Sequence, residues 1–149
     1  MKMIEVHNLT KDYGNYRGIF DLSCTVDQGE VVGCLGSNGA GKTTTIRHLM
    51  RFIHPQQGIS KIFDMDTFSA AKQIQSKVGY LPGEISFLND RMTGNEFIRF
   101  MMETKENVSK EQVRHLVDYF ELDTRIKIKK MSKGTKQKLG FVVAFMHNP

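Results

Sequence analysis

Long apolar runs and cysteines are scarce in this sequence. The apolar segment at residues 139–146 is far shorter than the roughly 20 residues that a membrane span requires. No apolar stretch follows Lys2 in the way that a secretory signal peptide needs. The 2 cysteines, Cys24 and Cys34, have neither CxxC nor histidine-rich spacing, so we expect reduced core residues rather than a disulfide or a metal site. These absences predict a soluble protein of the cytoplasm.

Acidic residues are absent from the last part of the chain. Positions 124–149 contain 7 basic residues and no Asp or Glu, whereas positions 1–123 contain 14 basic and 16 acidic residues. The net charge of +5 therefore comes from the final segment. Two interpretations are open: a nucleic-acid patch, or a solvated helix face with a turn that faces phosphate. Because these lysines lack interleaved aromatic residues before Phe141, the second is favoured and no nucleic-acid partner is expected.

The rest of the composition fits one mixed α/β domain. The chain has 149 residues, 40% of them hydrophobic, which suffices for one core, and no internal repeat is present. Alternating apolar residues predict half-buried strands in MIEVHNL and LSCTVD, which form an antiparallel piece, and a further strand in ISKIFDMD. Apolar runs predict buried strands at residues 31–35 and 78–81, and a short helix is expected at 69–77.

A glycine-rich loop follows the first of these buried strands. Gly36, Gly41, Lys42 and Thr43 satisfy the pattern G-x-x-x-x-G-K-S/T, in which glycines let backbone N–H groups converge on phosphate oxygens. Lys42 would reach the β- and γ-phosphates, the Thr43 hydroxyl would coordinate Mg²⁺, and Thr44 would bond a neighbouring phosphate. A glycine turn that only joins a strand to a helix is the alternative; the strand–loop–helix order favours a nucleotide site.

Helices dominate the second half of the sequence. Thr93 with Glu96, and Ser109 with Gln112, match the capping-box pattern, so helices should begin just after Thr93 and Ser109. The apolar stripes that follow are interpreted as helix-packing faces rather than a cofactor pocket.

The start of the last helix is a second candidate anion site. Ser132 can cap this helix, and Gly134 permits close approach of another backbone or a ligand. Taken alone, this signal is weak, because any lysine-rich helix start would look similar.

The motifs, in their order, resemble the nucleotide-binding domain of an ABC transporter over essentially the whole chain. Residues 36–43 resemble the Walker A motif, VGYLPGE resembles the Q-loop region, and MSKGTKQ resembles the signature LSGGQ. Tyr13 stands where the family has an aromatic residue that stacks on adenine. The resemblance implies that Ser132 and Gly134 contact the γ-phosphate held by an opposing subunit.

The resemblance thus implies one composite nucleotide site, with ATP and Mg²⁺ as ligands and Thr43 as the metal-binding residue. No catalytic residue is assigned within this chain. The expected nucleotide-binding residues are Tyr13, Gly36, Ser37, Asn38, Gly39, Ala40, Gly41, Lys42, Thr43, Thr44, Ser132 and Gly134.

The sequence departs from the family pattern at two places. After YLP the family usually has a glutamine, whereas this chain has Gly83 and then Glu84, which is a candidate substitute. In the signature, Lys133 and Thr135 replace a glycine and the glutamine, a variation associated with bacterial exporter-type ATPases whose permease is a separate chain.

The hydrolytic acids of the family are expected on a strand soon after HNP, beyond Pro149. We therefore expect an N-terminal fragment that ends before Walker B, is inactive in hydrolysis and has an incomplete sheet. The expected fold class is α/β, a P-loop NTPase core with an N-terminal antiparallel β piece and an α-helical subdomain. Residues 1–82 would form the α/β core, and residues 83–149 the Q-loop region, helical subdomain and signature helix.

The expected function is that of the ATP-binding subunit of an ABC transporter at the inner face of the cell membrane. It would couple MgATP binding and hydrolysis to transport by a separate membrane permease, and would pair head to tail with a second nucleotide-binding domain. A soluble ABC ATPase that acts on ribosomes or DNA is the alternative, which the basic final segment favours slightly. A GTPase or small kinase is disfavoured because no N-K-x-D motif occurs.

Overall fold

The alternating apolar residues near the N-terminus build an antiparallel sheet. A computed structural model describes residues 1–105 and 108–149, which form two units, Met1–Gln75 and Ser76–Pro149. The sheet lies in the first unit, in the order β2-β1-β3-β4 with antiparallel pairing throughout. Its strands are β1 (Lys2–Asp12), β2 (Gly18–Asp27), β3 (Gln57–Ile62) and β4 (Met65–Asp66). The predicted antiparallel piece is thus confirmed, and ISKIFDMD forms a strand and the short return strand β4.

Two helices complete the first unit, α1 (Lys42–Leu49) and α2 (Ala71–Gln75). Leu49 of α1 packs against a core cluster formed by Val6, Leu9 and Ile19 of the sheet. This packing fixes the helix that follows the glycine-rich loop.

Among the described residues of the second unit, the regular elements are helices, as the capping patterns predict for the chain after Thr93. They are α3 (Gly94–Thr104), α4 (Lys110–Tyr119) and α5 (Lys133–Phe145), with a 3-10 turn at Ile128–Lys130. Their apolar faces share one core, in which Phe97, Leu116 and Leu139 meet. The predicted stripes are therefore packing faces.

Side chains cap these helices where the sequence predicts caps. Thr93 accepts a hydrogen bond from the Glu96 N–H, and the Glu96 carboxylate accepts one from the Thr93 N–H at 2.7 Å, so the capping box is complete. Ser109 accepts from the Gln112 N–H at 3.0 Å, which is only half of the predicted box. Both helices begin directly after the capping residue.

The two predicted buried strands at residues 31–35 and 78–81 are wrong. Neither segment is a strand in the structure, because no described strand runs beside either one to supply ladder hydrogen bonds. The side chains of Val31 and Leu35 are 99% and 93% exposed. Residues 78–81 pack on α5 instead: an added Cβ at Gly79 would lie 2.8 Å from the Ala144 carbonyl oxygen.

None of the helices in the described part of the chain combines the length and the apolar character that crossing a membrane requires.

Candidate nucleotide-binding site

Gly41 sets the shape of the glycine-rich loop at its junction with α1. It has a left-handed backbone conformation, with φ of 87°. A Cβ at this position would collide with Ile19 Cγ2 and would lie 2.7 Å from the Gly18 carbonyl oxygen. Only glycine fits here without a shift of the backbone, so the loop is held closely against the start of β2.

The Lys42 side chain folds back over the loop. Its ammonium group donates hydrogen bonds to the carbonyl oxygens of Gly36 and Ser37, both at 2.7 Å. The Ala40 N–H donates to the Ser37 carbonyl at 3.2 Å, which closes a turn inside the loop. The loop therefore carries a positive charge at its own surface, a feature that the sequence pattern alone does not give.

The start of α1 leaves backbone donors available. No side chain caps the helix, and its first turn contains no acidic residue. The first helical bond runs from the Thr45 N–H to the Gly41 carbonyl at 2.9 Å, so the N–H groups of Lys42, Thr43 and Thr44 precede it. Together with the ammonium group, these donors fit the oxygens of a nucleotide's phosphates, and the exposed Thr43 hydroxyl fits a Mg²⁺ ion bound to them.

Two residues that support α1 were missed by sequence reasoning. Thr45 is buried, and its hydroxyl donates to the Gly41 carbonyl at 3.1 Å. His48 is 1% exposed, and its Nε2 is hydrogen-bonded to Ser60 Oγ of β3 at 2.9 Å. Ser60 is in turn bonded to Thr67 at 2.6 Å, so a buried polar chain ties α1 to the sheet. No sequence signal distinguishes these polar residues from others on the helix.

Burial lowers the pKa of His48 below its ordinary value of 6.5, and the nearby His54 adds to this effect. The Ile53 backbone and Asp66 oppose the shift by favouring protonation. The His48 Nδ1 atom makes no well-formed hydrogen bond among the described residues, so the Ile53 backbone and Asp66 offset only part of the cost of burying a second proton there. The neutral imidazole is therefore the form that fits this position.

Tyr13 lies in the turn between β1 and β2. Its ring is 55% exposed, and the Lys11 ammonium group lies 5.5 Å from the ring centroid. No ring contact or hydrogen bond joins Tyr13 to the glycine-rich loop among the described residues. Tyr16, its neighbour in the turn, is 99% exposed with φ of 57°. Both rings have faces that a base could cover.

The second predicted anion site lies at the start of α5, in the second unit. Ser132 caps the helix, accepting a hydrogen bond from the Thr135 N–H at 3.1 Å. A Cβ added at Gly134 would meet only the Ser132 hydroxyl, at 4.0 Å, and the residue has no positive φ. The fold itself therefore does not require glycine at this position, and the first turn is open to an approaching group.

Glu84 faces the same helix across a surface cleft of about 340 Å³. One lysine in this cleft, Lys136, is already paired, because its ammonium group lies 2.9 Å from Asp90 Oδ1. Further along α5, a Cβ at Gly140 would lie 2.7 Å from Leu81 Cδ1, so the segment before Glu84 packs closely on the helix. The cleft is lined by Gly83, Glu84, Ile85, Met131, Lys133, Lys136 and Gln137.

Known proteins with similar sequences share one family. The profile of the family described as ABC transporter matches residues 19–149. The chain is 34% identical to MJ1023, an uncharacterized ABC transporter ATP-binding protein of Methanocaldococcus jannaschii, with 98% of this chain and 53% of that protein aligned. It is 33% identical to the bacitracin transport ATP-binding protein BcrA of Bacillus licheniformis, over 99% of this chain and 48% of that one. The ABC transporter ATP-binding protein NatA of Bacillus subtilis is 31% identical, over 89% and 56%. The chain spans about half the length of the curated relatives it matches.

Solved structures confirm the predicted fold class. An ATP-binding subunit of an ABC transporter superposes with a TM-score of 0.84 at 28% identity, over 99% of this chain and 63% of that one. The ATP-binding cassette MJ0796, solved as a dimer in a post-hydrolysis state with ADP and Pi, gives a TM-score of 0.82 at 19% identity, over 99% and 71%. The glycine-rich loop, the family profile and these relatives agree, and the chain belongs to the ATP-binding domains of the ABC transporter family.

Proposed function

We propose that this chain binds the phosphates of MgATP at its glycine-rich loop, as part of the ATP-binding subunit of an ABC transporter. The observation that carries the proposal is the combination of a glycine-shaped loop, a Lys42 ammonium group folded onto it, and an uncapped start of α1 directly behind it. Cationic and N–H donors that converge on one small surface are suited to a polyanion rather than to an uncharged ligand.

Each predicted residue has a distinct role in this proposal. Lys42 exchanges its bonds to the loop carbonyls for bonds to the β- and γ-phosphates. Backbone N–H groups of the loop surround the phosphates; they belong to Gly36, Ser37, Asn38, Gly39 and Ala40. Thr44 bonds a neighbouring phosphate oxygen. Mg²⁺ supplies positive charge that neutralises the phosphates, and Thr43 holds it through its hydroxyl. Tyr13 stacks on the adenine ring.

A second copy of the domain completes the site in this proposal. Ser132 and Gly134 of one copy approach the γ-phosphate bound by the other, head to tail. Support comes from Gly134 in the first turn of α5: glycine costs helix stability by about 1 kcal/mol relative to alanine, and the fold has room for a Cβ at this position. Among the structural relatives, the cassette MJ0796 is described as dimeric.

The proposed cellular role is to drive a separate membrane permease from the inner face of the cell membrane, in the manner of exporter-type ATPases. The relatives named for bacitracin transport support a transport role. A soluble ABC ATPase that acts on ribosomes or DNA is a second candidate, favoured by exposed lysines near the start of α5, among them Lys129, Lys130 and Lys138. The test compares retention of this chain on ribosomal RNA with its retention on vesicles that carry a permease. Salt-sensitive retention on the RNA, with no retention on the vesicles, would select the second role.

Isothermal titration with MgATP tests the proposed ligand. We expect binding to the wild type and at least a tenfold weaker affinity for Lys42→Ala, because the ammonium group is the one side-chain cation on the loop. Lys110→Ala is the matched control, since it removes the same charge from an exposed position at the start of α4. Equal affinities of Lys42→Ala and the wild type would overturn the proposal.

A further inference from the structure

The segment at residues 79–84 runs along α5 towards the start of that helix. A Cβ at Gly79 would lie 2.8 Å from the Ala144 carbonyl oxygen. Further along the segment, Leu81 Cδ1 would lie 2.7 Å from a Cβ at Gly140. Two residues of extended chain advance about 7 Å and four helical residues about 6 Å, so the two contacts fit a segment that follows the helix. Each step along the segment therefore leads towards the N-terminus of α5.

Glu84 and Lys133 line the same cleft at that end of the helix. The chain bends at Glu84, which lies on the side of the segment, and Lys133 lies on the side of α5. Because Lys133 precedes Gly140 by two helical turns, both lie on one face of α5, the face that the segment follows. The contacts of the segment and the lining of the cleft thus agree on where Glu84 lies.

Neither of these two charged groups is engaged elsewhere in the described part of the chain. The other lysine of the cleft, Lys136, is held 2.9 Å from Asp90 Oδ1. No ion pair or hydrogen bond of the described residues involves the side chain of Glu84 or of Lys133. Both side chains have several rotatable bonds, so their charged ends can turn into the cleft without a shift of the backbone.

The position of Lys133 in the helix calls for a negative partner. It is the first residue of α5, where the helix dipole and the unbonded N–H groups place partial positive charge. The first turn of α5 has no acidic residue that could compensate for the lysine. Glu84 is the acidic residue that lines the cleft, and its carboxylate would offset the repulsion between Lys133 and the helix end.

We propose that Glu84 and Lys133 are a charge pair that fixes the bend of the segment to the first turn of α5. The two departures from the family pattern are then one exchange. Glu84 comes one residue after the usual place of a glutamine, and Lys133 replaces a glycine of the signature. Glu84 is a positioning residue in this proposal, because it acts through Lys133 and not as a ligand of Mg²⁺.

The pair would hold the two signature residues on either side of Lys133. Ser132 and Gly134 are the residues that the proposed function places at the γ-phosphate of the other copy. Fixing the first turn of α5 keeps both in one orientation before the copies meet. This consequence rests on the proposed function, whereas the charge pair itself does not.

A double-mutant cycle of Glu84→Gln and Lys133→Gln in the whole chain tests the pair. Amide exchange at Lys136, followed by NMR, is the readout, because this N–H closes the first turn by bonding the Ser132 carbonyl at 2.9 Å. Glu84→Gln should speed this exchange about twofold to fivefold, as loss of an exposed ion pair does. In the Lys133→Gln background it should have no effect. At about 1 M salt the difference should vanish, because screening then acts within about 3 Å.

Lys138→Gln provides the matched control background. Lys138 lies on α5 but does not line the cleft, so Glu84→Gln should have the same effect there as in the wild type. An equal effect of Glu84→Gln in the wild type and in Lys133→Gln would overturn the pair. A difference that persists at about 1 M salt would also overturn it, because packing and not charge would then be the cause.

Sedimentation velocity with and without MgATP gives the second readout. Glu84→Gln should weaken ATP-dependent self-association by about the same twofold to fivefold. If exchange shows the pair but the wild type does not self-associate with MgATP, the pair stands and the proposed head-to-tail pairing fails. If association is unchanged in Glu84→Gln, the positioning role is refuted. A higher Mg²⁺ requirement for ATP binding in Glu84→Gln, with no effect on exchange at Lys136, would assign Glu84 to the metal and refute the inference.

Discussion

At the scale of single residues, two glycines of the loop allow the cost of a left-handed backbone to be separated from the cost of a steric clash. Gly39 and Gly41 have φ of 89° and 87°, but a Cβ at Gly39 meets nothing within 4 Å, whereas one at Gly41 meets Ile19 and Gly18. Gly39→Ala should destabilise the chain by about 1–2 kcal/mol, the cost of a left-handed backbone alone. Gly41→Ala should cost about 3 kcal/mol or more, because the clash adds to it. Urea unfolding measures both, and equal losses would show that Gly41 is not tightly packed.

The adenine contact is a second prediction at this scale. Stacking of an aromatic side chain on a base contributes on the order of 1–3 kcal/mol, so Tyr13→Ala should weaken ATP affinity about tenfold to a hundredfold. Tyr16→Ala is the control, because this ring lies in the same turn and is 99% exposed. Competition with a fluorescent ATP analogue measures both affinities. Loss of affinity in Tyr16→Ala with none in Tyr13→Ala would mean that Tyr16, and not Tyr13, is the residue of this turn that stacks on adenine.

The sequence pattern predicts which loop residues converge on a phosphate, because the spacing of glycines and lysine follows from what a phosphate needs. It did not show where Lys42 points before a ligand binds, since bonds to Gly36 and Ser37 depend on the path of the loop. It was wrong about the cysteines because apolar neighbours in sequence do not guarantee burial. Cys34 is exposed together with Val31 and Leu35.

At the scale of elements, the buried His48 of α1 should make the stability of the fold depend on pH. Because burial puts the folded-state pKa of His48 below 6.5, the unfolded chain binds more protons as the pH falls below that value. The free energy of unfolding should therefore decrease from about pH 6.5 downwards, by at most about 1.4 kcal/mol per pH unit for this group, and stop decreasing below the folded-state pKa. Above about pH 6.5, His48 is neutral in both states and does not change the pH dependence of the free energy of unfolding.

Thermal or urea unfolding from pH 7.5 to 5 measures this dependence. His48→Gln should flatten the curve, because glutamine can keep the bond to Ser60 and does not titrate. Burial also lowers the pKa of His147, with the Lys105 charge adding to it, so part of the acid sensitivity should remain. His7→Gln, at an exposed position, is the control. A curve for His48→Gln parallel to the wild type would contradict the assignment.

Elements with local signals were predictable, and elements that need distant partners were not. The cap at Thr93 and the alternation in β1 and β2 act within a few residues, so the pattern determines the structure. Residues 31–35 have the composition of a buried strand, but a strand also needs a neighbour for its backbone groups, and none of the strands in the described part of the chain lies beside them. Burial in such a segment depends on the rest of the fold and not on its own residues.

At the scale of the whole molecule, the proposed head-to-tail pairing gives Ser132 two roles, capping of α5 and contact with the γ-phosphate of the other copy, and these can be measured separately. Ser132→Ala and Thr93→Ala each remove a helix N-cap, so each should cost about 1 kcal/mol of stability. Only Ser132→Ala should also weaken ATP-dependent self-association, because its hydroxyl would face the γ-phosphate of the other copy. Sedimentation velocity with and without MgATP measures this. Equal effects of the two substitutions would leave Ser132 with a capping role alone.

The central claim is that nucleotide phosphates bind where the glycine-rich loop meets α1, and amide hydrogen exchange with and without MgATP tests it most directly. The proposal predicts slower exchange at residues 36–45, whose N–H groups would contact phosphate or follow the contact into α1, and loss of that protection in Lys42→Ala. Protection by MgATP that appears only outside these residues, or that persists in Lys42→Ala, would contradict the account.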